Sequence, residues 1–155
     1  MPRIDTSETD TALAFLDFAR ECVVKKLDGL DDEQVRQVLV PSGTSLLGLV
    51  QHMVAGERYW FAHHVRGDDP SAEYDFEMVV PEGRTTSDLV AEYRTAYAES
   101  NAIVRERSLD AVTALPVVDR PLSVRWVVAH MTSETARHAG HADILRELID
   151  GTTGR

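Results

Sequence analysis

A single cysteine, Cys22, is the whole thiol inventory of this chain of 155 residues. No intrachain disulfide can therefore form. Cys22 falls within an apolar helical pattern, where a core thiol is expected rather than a nucleophile. No apolar run approaches the roughly 18 residues that a membrane-spanning helix needs. The opening MPRIDTSETD lacks the apolar stretch of a secretory signal. A soluble, cytoplasmic protein with no membrane partner is expected. Basic residues are also scarce: 16 Lys and Arg stand against 26 Asp and Glu, for a net charge of −10. Nucleic-acid binding rests on clustered Lys and Arg, so a nucleic-acid partner is excluded. Internal repeats and low-complexity tracts are absent. The length suits one domain over residues 1–155, and 43% apolar residues are enough for a core.

What the chain does have is helical periodicity. The most informative stretch is SVRWVVAHMTSETARHAGHADILRELIDG, from Ser123 to Gly151. Ser123 reads as an N-cap and Gly151 as a C-terminal stop. Between them Val127, Met131, Leu145, Leu148 and Ile149 fall on one face, predicted to point at the core. Three further helices are predicted: about Ser7 to Leu27, Ser45 to Arg66 with Thr44 as cap, and Thr86 to about Arg107 with a box-like Thr85–Asp88 start. DDEQVRQVL predicts a short helical turn. The segments 67–84 and 108–122 are long connections. Within the first, EYDFEMVV has an extended look, and the segment is expected to cover a site or else be disordered. The fold class is all-α, a four-helix bundle with long connections.

The core face of the last helix also carries His130, Glu134, His138 and His141, within an arc of roughly 80°. Ionisable groups on a buried stripe need hydrogen bonds, ion pairs or a metal. Glu134 and His138, four apart, meet one turn from each other. A hydrogen-bonded structural cluster is the plain alternative to a metal or substrate site. The second helix is apolar almost all round, so it is central or lies against a second subunit. With Trp60 and Phe61, that surface predicts a homodimer. His52 on its flank has Gly48, Ala55 and Gly56 nearby, small residues that let another helix or a ligand approach. His52, Glu134 and His138 are thus the expected metal set, with His141 able to replace Glu134 and His130 in a supporting place. Such a set fits Zn²⁺ first, and also Ni²⁺, Mn²⁺ or Fe²⁺. His63 and His64 end the second helix, where a surface role is expected. Glu57 falls on the buried stripe and needs a cation, for which Arg137 is the expected partner.

The stretches SLLGLVQHMVAGERYWF (Ser45 to Phe61), PEGRTTSDLVAEYR (Pro81 to Arg94) and VRWVVAHMTSETARHAGHADILRELIDG (Val124 to Gly151) resemble the DinB-like superfamily, in particular its actinobacterial mini-circle branch. The resemblance implies a four-helix bundle with a divalent metal near one end. The family's ligands, one His on the second helix and two residues four apart on the fourth, match His52, Glu134 and His138. Glu134 looks like the pattern of mycothiol-dependent maleylpyruvate isomerase. Many relatives have Gln where this chain has His141. Relatives include mycothiol- and bacillithiol-dependent transferases and isomerases. The implied function is a metal-dependent transferase acting on a small-molecule thiol and an electrophile, with His141 and His130 as catalytic acid/base groups. A metal-dependent hydrolase and a non-catalytic binding or dimerisation module are the alternatives.

Overall fold

The structure is a computed structural model that describes residues 1–154. Five α-helices follow in order: α1 (Glu8–Lys25), α2 (Asp32–Arg36), α3 (Leu46–Glu57), α4 (Thr86–Arg107) and α5 (Val124–Asp150). A π-helical segment, Arg58–Arg66, continues α3 without a break. Four long rods result: α1, α3 with its π extension, α4 and α5. The bundle joins α1 to α5 and α3 to α4 along their lengths, with α3 also against α5. Among the described residues there is no sheet, only two isolated antiparallel bridges, Val112 with Ser123 and Val117 with Arg120. Those bridges fold the 108–122 connection into a small hairpin that sequence periodicity did not show.

Local chemistry sets the helix starts. Ser7, Ser45, Thr85 and Ser123 each accept a hydrogen bond from the backbone N–H three residues on, so each satisfies one orphan donor of its helix. The cap of α3 is Ser45 rather than Thr44. Asp31 and Gln34 form a reciprocal capping box that fixes the five-residue α2. Gly151 ends α5 with φ +76°, a left-handed conformation that Gly adopts without a Cβ clash.

The core has two apolar clusters. One gathers Val23, Leu27, Leu46, Val50, Met53, Tyr93 and Leu145. The other gathers Leu13, Leu16, Phe61, Ile103, Val127 and Met131. On α1, Arg20 lies between Leu16 and Val23; on α3, Glu57 lies between Val54 and Phe61. These two side chains, 0% and 1% exposed, form a buried ion pair in the layer between the clusters. Arg20 Nε donates to Glu57 Oε1 at 2.7 Å and Nη2 donates to Oε2 at 2.6 Å. Arg20 Nη1 also donates to Asp17 at 2.7 Å and to Asn101 at 2.8 Å. Glu57 is therefore paired with Arg20, not Arg137. Arg137 is exposed and reaches Glu134 one turn back on its own helix.

The second rod is central, as its all-round apolarity requires: Leu46, Leu47, Leu49, Val50, Phe61 and Val65 are all fully buried. Phe61 thus supplies none of the surplus apolar surface expected of it. On α5, Val127, Met131 and Leu145 face the core as predicted, whereas Leu148 is 56% exposed. Cys22 is half-buried and free.

The acidic connection 67–85 is laid over α3, extended but unpaired as a strand. A Cβ on Gly48 would sit 2.2 Å from the backbone oxygen of Met78. Gly48 is therefore required for this approach, and what comes close is the connection rather than another helix. Gln51 Nε2 donates to Val79 O at 2.6 Å and ties down the same strip. Gly48→Ala should lift the strip from α3, at a stability loss of about 1–3 kcal/mol for the overpacked contact. Limited proteolysis checks this: cleavage within residues 70–80 should speed up several-fold while far-UV helicity is unchanged.

Candidate functional site

Where α3, its π extension and α5 diverge, they leave a cavity of about 270 Å³. His52, Glu57, Thr135 and His138 bring polar groups to it, while Met53, Tyr59, Trp60, Phe76 and Met131 make its walls largely apolar. His130 and Glu134 complete the lining on the α5 side. His52 and His138 meet across α3 and α5, with ring centroids 4.9 Å apart and planes at 66°. The Phe76 carbonyl lies 2.8 Å from His52 Nδ1. A carbonyl can only accept, so Nδ1 carries the hydrogen and Nε2 of the neutral ring is left as the acceptor. Thus the 67–85 connection both covers the cavity, through Phe76, and sets a tautomer.

His138 is half-buried, and its Nδ1 is buried without a partner among the described residues. Burial, aided by the nearby His52 and His141 rings, lowers its pKa to about 4. Desolvation penalises the cation, and further imidazoles add to that penalty. The consequence for stability has a definite sign. Unfolded, His138 takes up its proton near its ordinary 6.5; folded, it does so only near 4. Between these values the unfolded chain binds the extra proton, so stability falls as pH drops from about 6.5 to about 4. His64 shifts in the same direction, through burial first. With allowance for the ring's partial contact with solvent, His138 should account for about 1–2 kcal/mol of that loss. Urea midpoints at pH 7.5 and pH 5 should therefore differ less for His138→Gln than for the wild type.

His130 and His141 lie on opposite sides of this pair. His130 stacks on Trp126 at 5.0 Å and 10°, and its ring is 4.6 Å from Trp60, so it belongs to the aromatic wall. His141 is exposed, 5.6 Å from the His138 ring, and borders a separate shallow depression with Val40, Thr44 and Ile144.

The metal expectation is corrected. Among the described residues, no three His, Cys, Asp or Glu side chains form a group that could hold a metal ion. His52 and His138 come together, but the third donor does not. Glu134 Oε1 is 3.1 Å from the Arg137 guanidinium, which competes for its charge. His141 faces solvent. A Zn²⁺, Ni²⁺, Mn²⁺ or Fe²⁺ centre on His52, Glu134 and His138 does not fit this donor arrangement.

The π-helical segment was not predicted. Gly67 N–H donates to Ala62 O at 3.1 Å, the i−5 pattern, as well as to His63 O. Its wider turn rolls His64 inward. That residue is 4% exposed, against the surface place expected of it, and packs edge-on to Tyr59 at 4.5 Å. The aromatic run Tyr59-Trp60-Phe61 was the available sequence signal, and periodicity alone reads it as ordinary α-helix.

A family model described as mycothiol-S-transferase matches residues 11–151. The chain belongs to this family. The match takes in all but the first three residues of α1, the whole of the other long helices and both faces of the cavity. No curated protein matches the chain significantly. Two solved structures share the fold. A conserved protein of Enterococcus faecalis superposes with TM-score 0.68 at 15% identity, covering 96% of this chain and 100% of that one. A DinB-like protein from Bacillus cereus superposes with TM-score 0.61 at 16% identity, covering 92% and 95%. Mycothiol-S-transferase membership and the DinB-like bundle thus agree with the resemblance carried by the α3 and α5 stretches. No helix among the described residues is long and apolar enough to cross a membrane.

Proposed function

We propose that this member of the mycothiol-S-transferase family joins a low-molecular-weight thiol of the mycothiol type to a small electrophile in the α3–α5 cavity. The observation that carries this reading is the His52–His138 pair at 4.9 Å, set at a cavity whose walls are largely apolar. The thiol S–H donates to the neutral His138 ring. As the S–C bond forms and the bond to the leaving group breaks, His138 keeps the proton. A bound thiolate supplies the counter-charge that desolvation removed, so the imidazolium becomes affordable only in the complex. His52, held by Phe76 O, orients the pair. His130, on the aromatic wall, faces the electrophile and gives a proton to a leaving group that needs one, regaining it from solvent. His141, exposed beside His138, passes the thiol's proton from His138 to solvent. The protein contributes no cysteine to this chemistry, in keeping with a single Cys22 on α1, a helix that contributes nothing to the cavity lining. The hydrolase alternative rests on the same three donors as the metal and gains nothing from their arrangement.

The test is conjugation of mycothiol to monobromobimane, followed by fluorescence. Catalysis well above the uncatalysed rate, lost on blocking the cavity with Gly56→Phe, supports the reading. No acceleration with any of mycothiol, bacillithiol or N-acetylcysteine sinks it, and a non-catalytic binding module becomes the better account. A homodimer would have to use apolar side chains other than Phe61; Phe15, Phe18, Ile144 and Leu148 are exposed. Light scattering over a wide concentration range decides between a dimer and a monomer.

A further inference from the structure

Thr135 is 1% exposed, lines the cavity, and its Oγ1 has no hydrogen-bond partner among the described residues. In one of its two favoured rotamers a helical Thr hydroxyl reaches the carbonyl four residues back. Other helical hydroxyls here use it: Thr132 donates to Val128 O at 2.8 Å, Thr95 to Ala91 O at 3.0 Å, and Ser100 to Ala96 O at 3.0 Å. Thr132 lies on the same helix, so α5 itself permits the bond. Thr135 forgoes it. A buried hydroxyl without a partner destabilises the free protein. What enters the cavity can supply the partner.

The position narrows that partner. Thr135 and His138 are three apart on α5, so their Cβ atoms lie about 5–6 Å from each other on one face. A sulfur that gives its proton to His138 therefore comes within reach of Thr135. Met53, Gly56 and Met131 on the same cavity carry no side-chain N–H or O–H, and the donors of Tyr59, Trp60 and His130 belong to its aromatic wall. Glu57, the other buried polar side chain there, has both carboxylate oxygens engaged by Arg20 and offers no donor.

We infer that Thr135 Oγ–H donates a hydrogen bond to the bound thiol's sulfur and holds it as thiolate. This rests on the transferase reading above. A hydroxyl donor to an anionic sulfur favours the charged form, so it lowers the bound thiol's pKa and raises its nucleophilic fraction. No proton is transferred from Thr135; the S–H proton goes to His138.

Thr135→Val removes the hydroxyl and keeps the shape; Thr135→Ser keeps the hydroxyl. Mycothiol bound to saturation is titrated by thiolate absorbance near 240 nm, and the urea midpoint of each free protein is measured alongside. For Thr135→Val the thiolate fraction at pH 7 should fall about tenfold, with kcat falling in proportion, while the free protein is at least as stable as wild type. Thr135→Ser should restore the thiolate fraction to within about threefold of wild type. Four results overturn the inference. A destabilised Thr135→Val would mean that the hydroxyl has a structural partner. An unchanged thiolate fraction with a raised KM for monobromobimane would move Thr135 to the electrophile. Failure of the wild type to bind mycothiol would remove the transferase reading and this inference together. An unchanged thiolate fraction in a variant that still binds mycothiol removes this inference alone.

Discussion

Glu57→Ala will unfold at a much lower denaturant concentration than wild type, with a loss of about 3–5 kcal/mol. The size follows from what is left behind. Arg20 is fully buried and cannot lose its proton at accessible pH. Burial works against its charge, and the Glu57 carboxylate, with smaller help from Tyr93 and Asp17, more than offsets that, so its pKa lies above the ordinary value. Without Glu57 the guanidinium keeps, as hydrogen-bond partners, Asp17, which is 40% exposed and screened by water, and the neutral Asn101, beside the faces of Tyr97 and Phe61. The double variant Arg20→Met with Glu57→Leu should recover most of the loss, because a well-packed apolar pair of similar volume carries no desolvation cost. Urea unfolding of the wild type and both variants checks this. A single-variant loss below about 1 kcal/mol would mean that water reaches the layer between the two apolar clusters.

The second large effect is on rate. His138→Gln should lower kcat/KM for thiol conjugation by about 10²- to 10⁴-fold, the usual worth of a positioned proton acceptor. Glutamine keeps a polar side chain of similar reach but cannot hold the proton. The fold should persist, since α5 is anchored by Val127, Val128, Met131, Ala142 and Leu145, all buried. The pH profile adds a second readout. The acid limb of wild-type kcat/KM should lie near 4 rather than near 6.5, because it reports the free enzyme's base. That limb should vanish in the variant. A loss under tenfold in a protein that still binds the thiol would take His138 out of the proton-handling place and leave His52 as the group to test.

The helices were legible because their ends are written locally. Ser123 and Gly151 bracket α5, and Thr85 opens α4, through hydrogen bonds that span three or four residues. His52 and His138 were legible as a pair for a different reason: small neighbours on one helix and a core-facing stripe on the other. Glu134 was not, although the competing cation stands three residues on in the sequence, E-T-A-R. The Arg20–Glu57 pair spans 37 residues and joins two stripes that periodicity reads as apolar, so only the assembled bundle reveals it. The same holds for Thr135. A threonine on a helix carries no sequence mark that says whether it will bond to its own backbone.

The π-helical stretch after α3 has a consequence for sequence comparison and chain editing. Its hydrogen bonds span one residue more than those of an α-helix, so the chain there holds an insertion hidden inside a continuous rod. Deleting one residue between Arg58 and Ala62 would let the rod close as plain α-helix, and because the wider turn had absorbed the extra residue, the chain from the Gly67 corner onward would keep its faces. The side chains re-aimed would be those inside the wide turn, the aromatic run Tyr59-Trp60-Phe61 first. Relatives that lack the extra residue should therefore align with a gap at this point, and their equivalents of Trp60 should present a different face to the cavity.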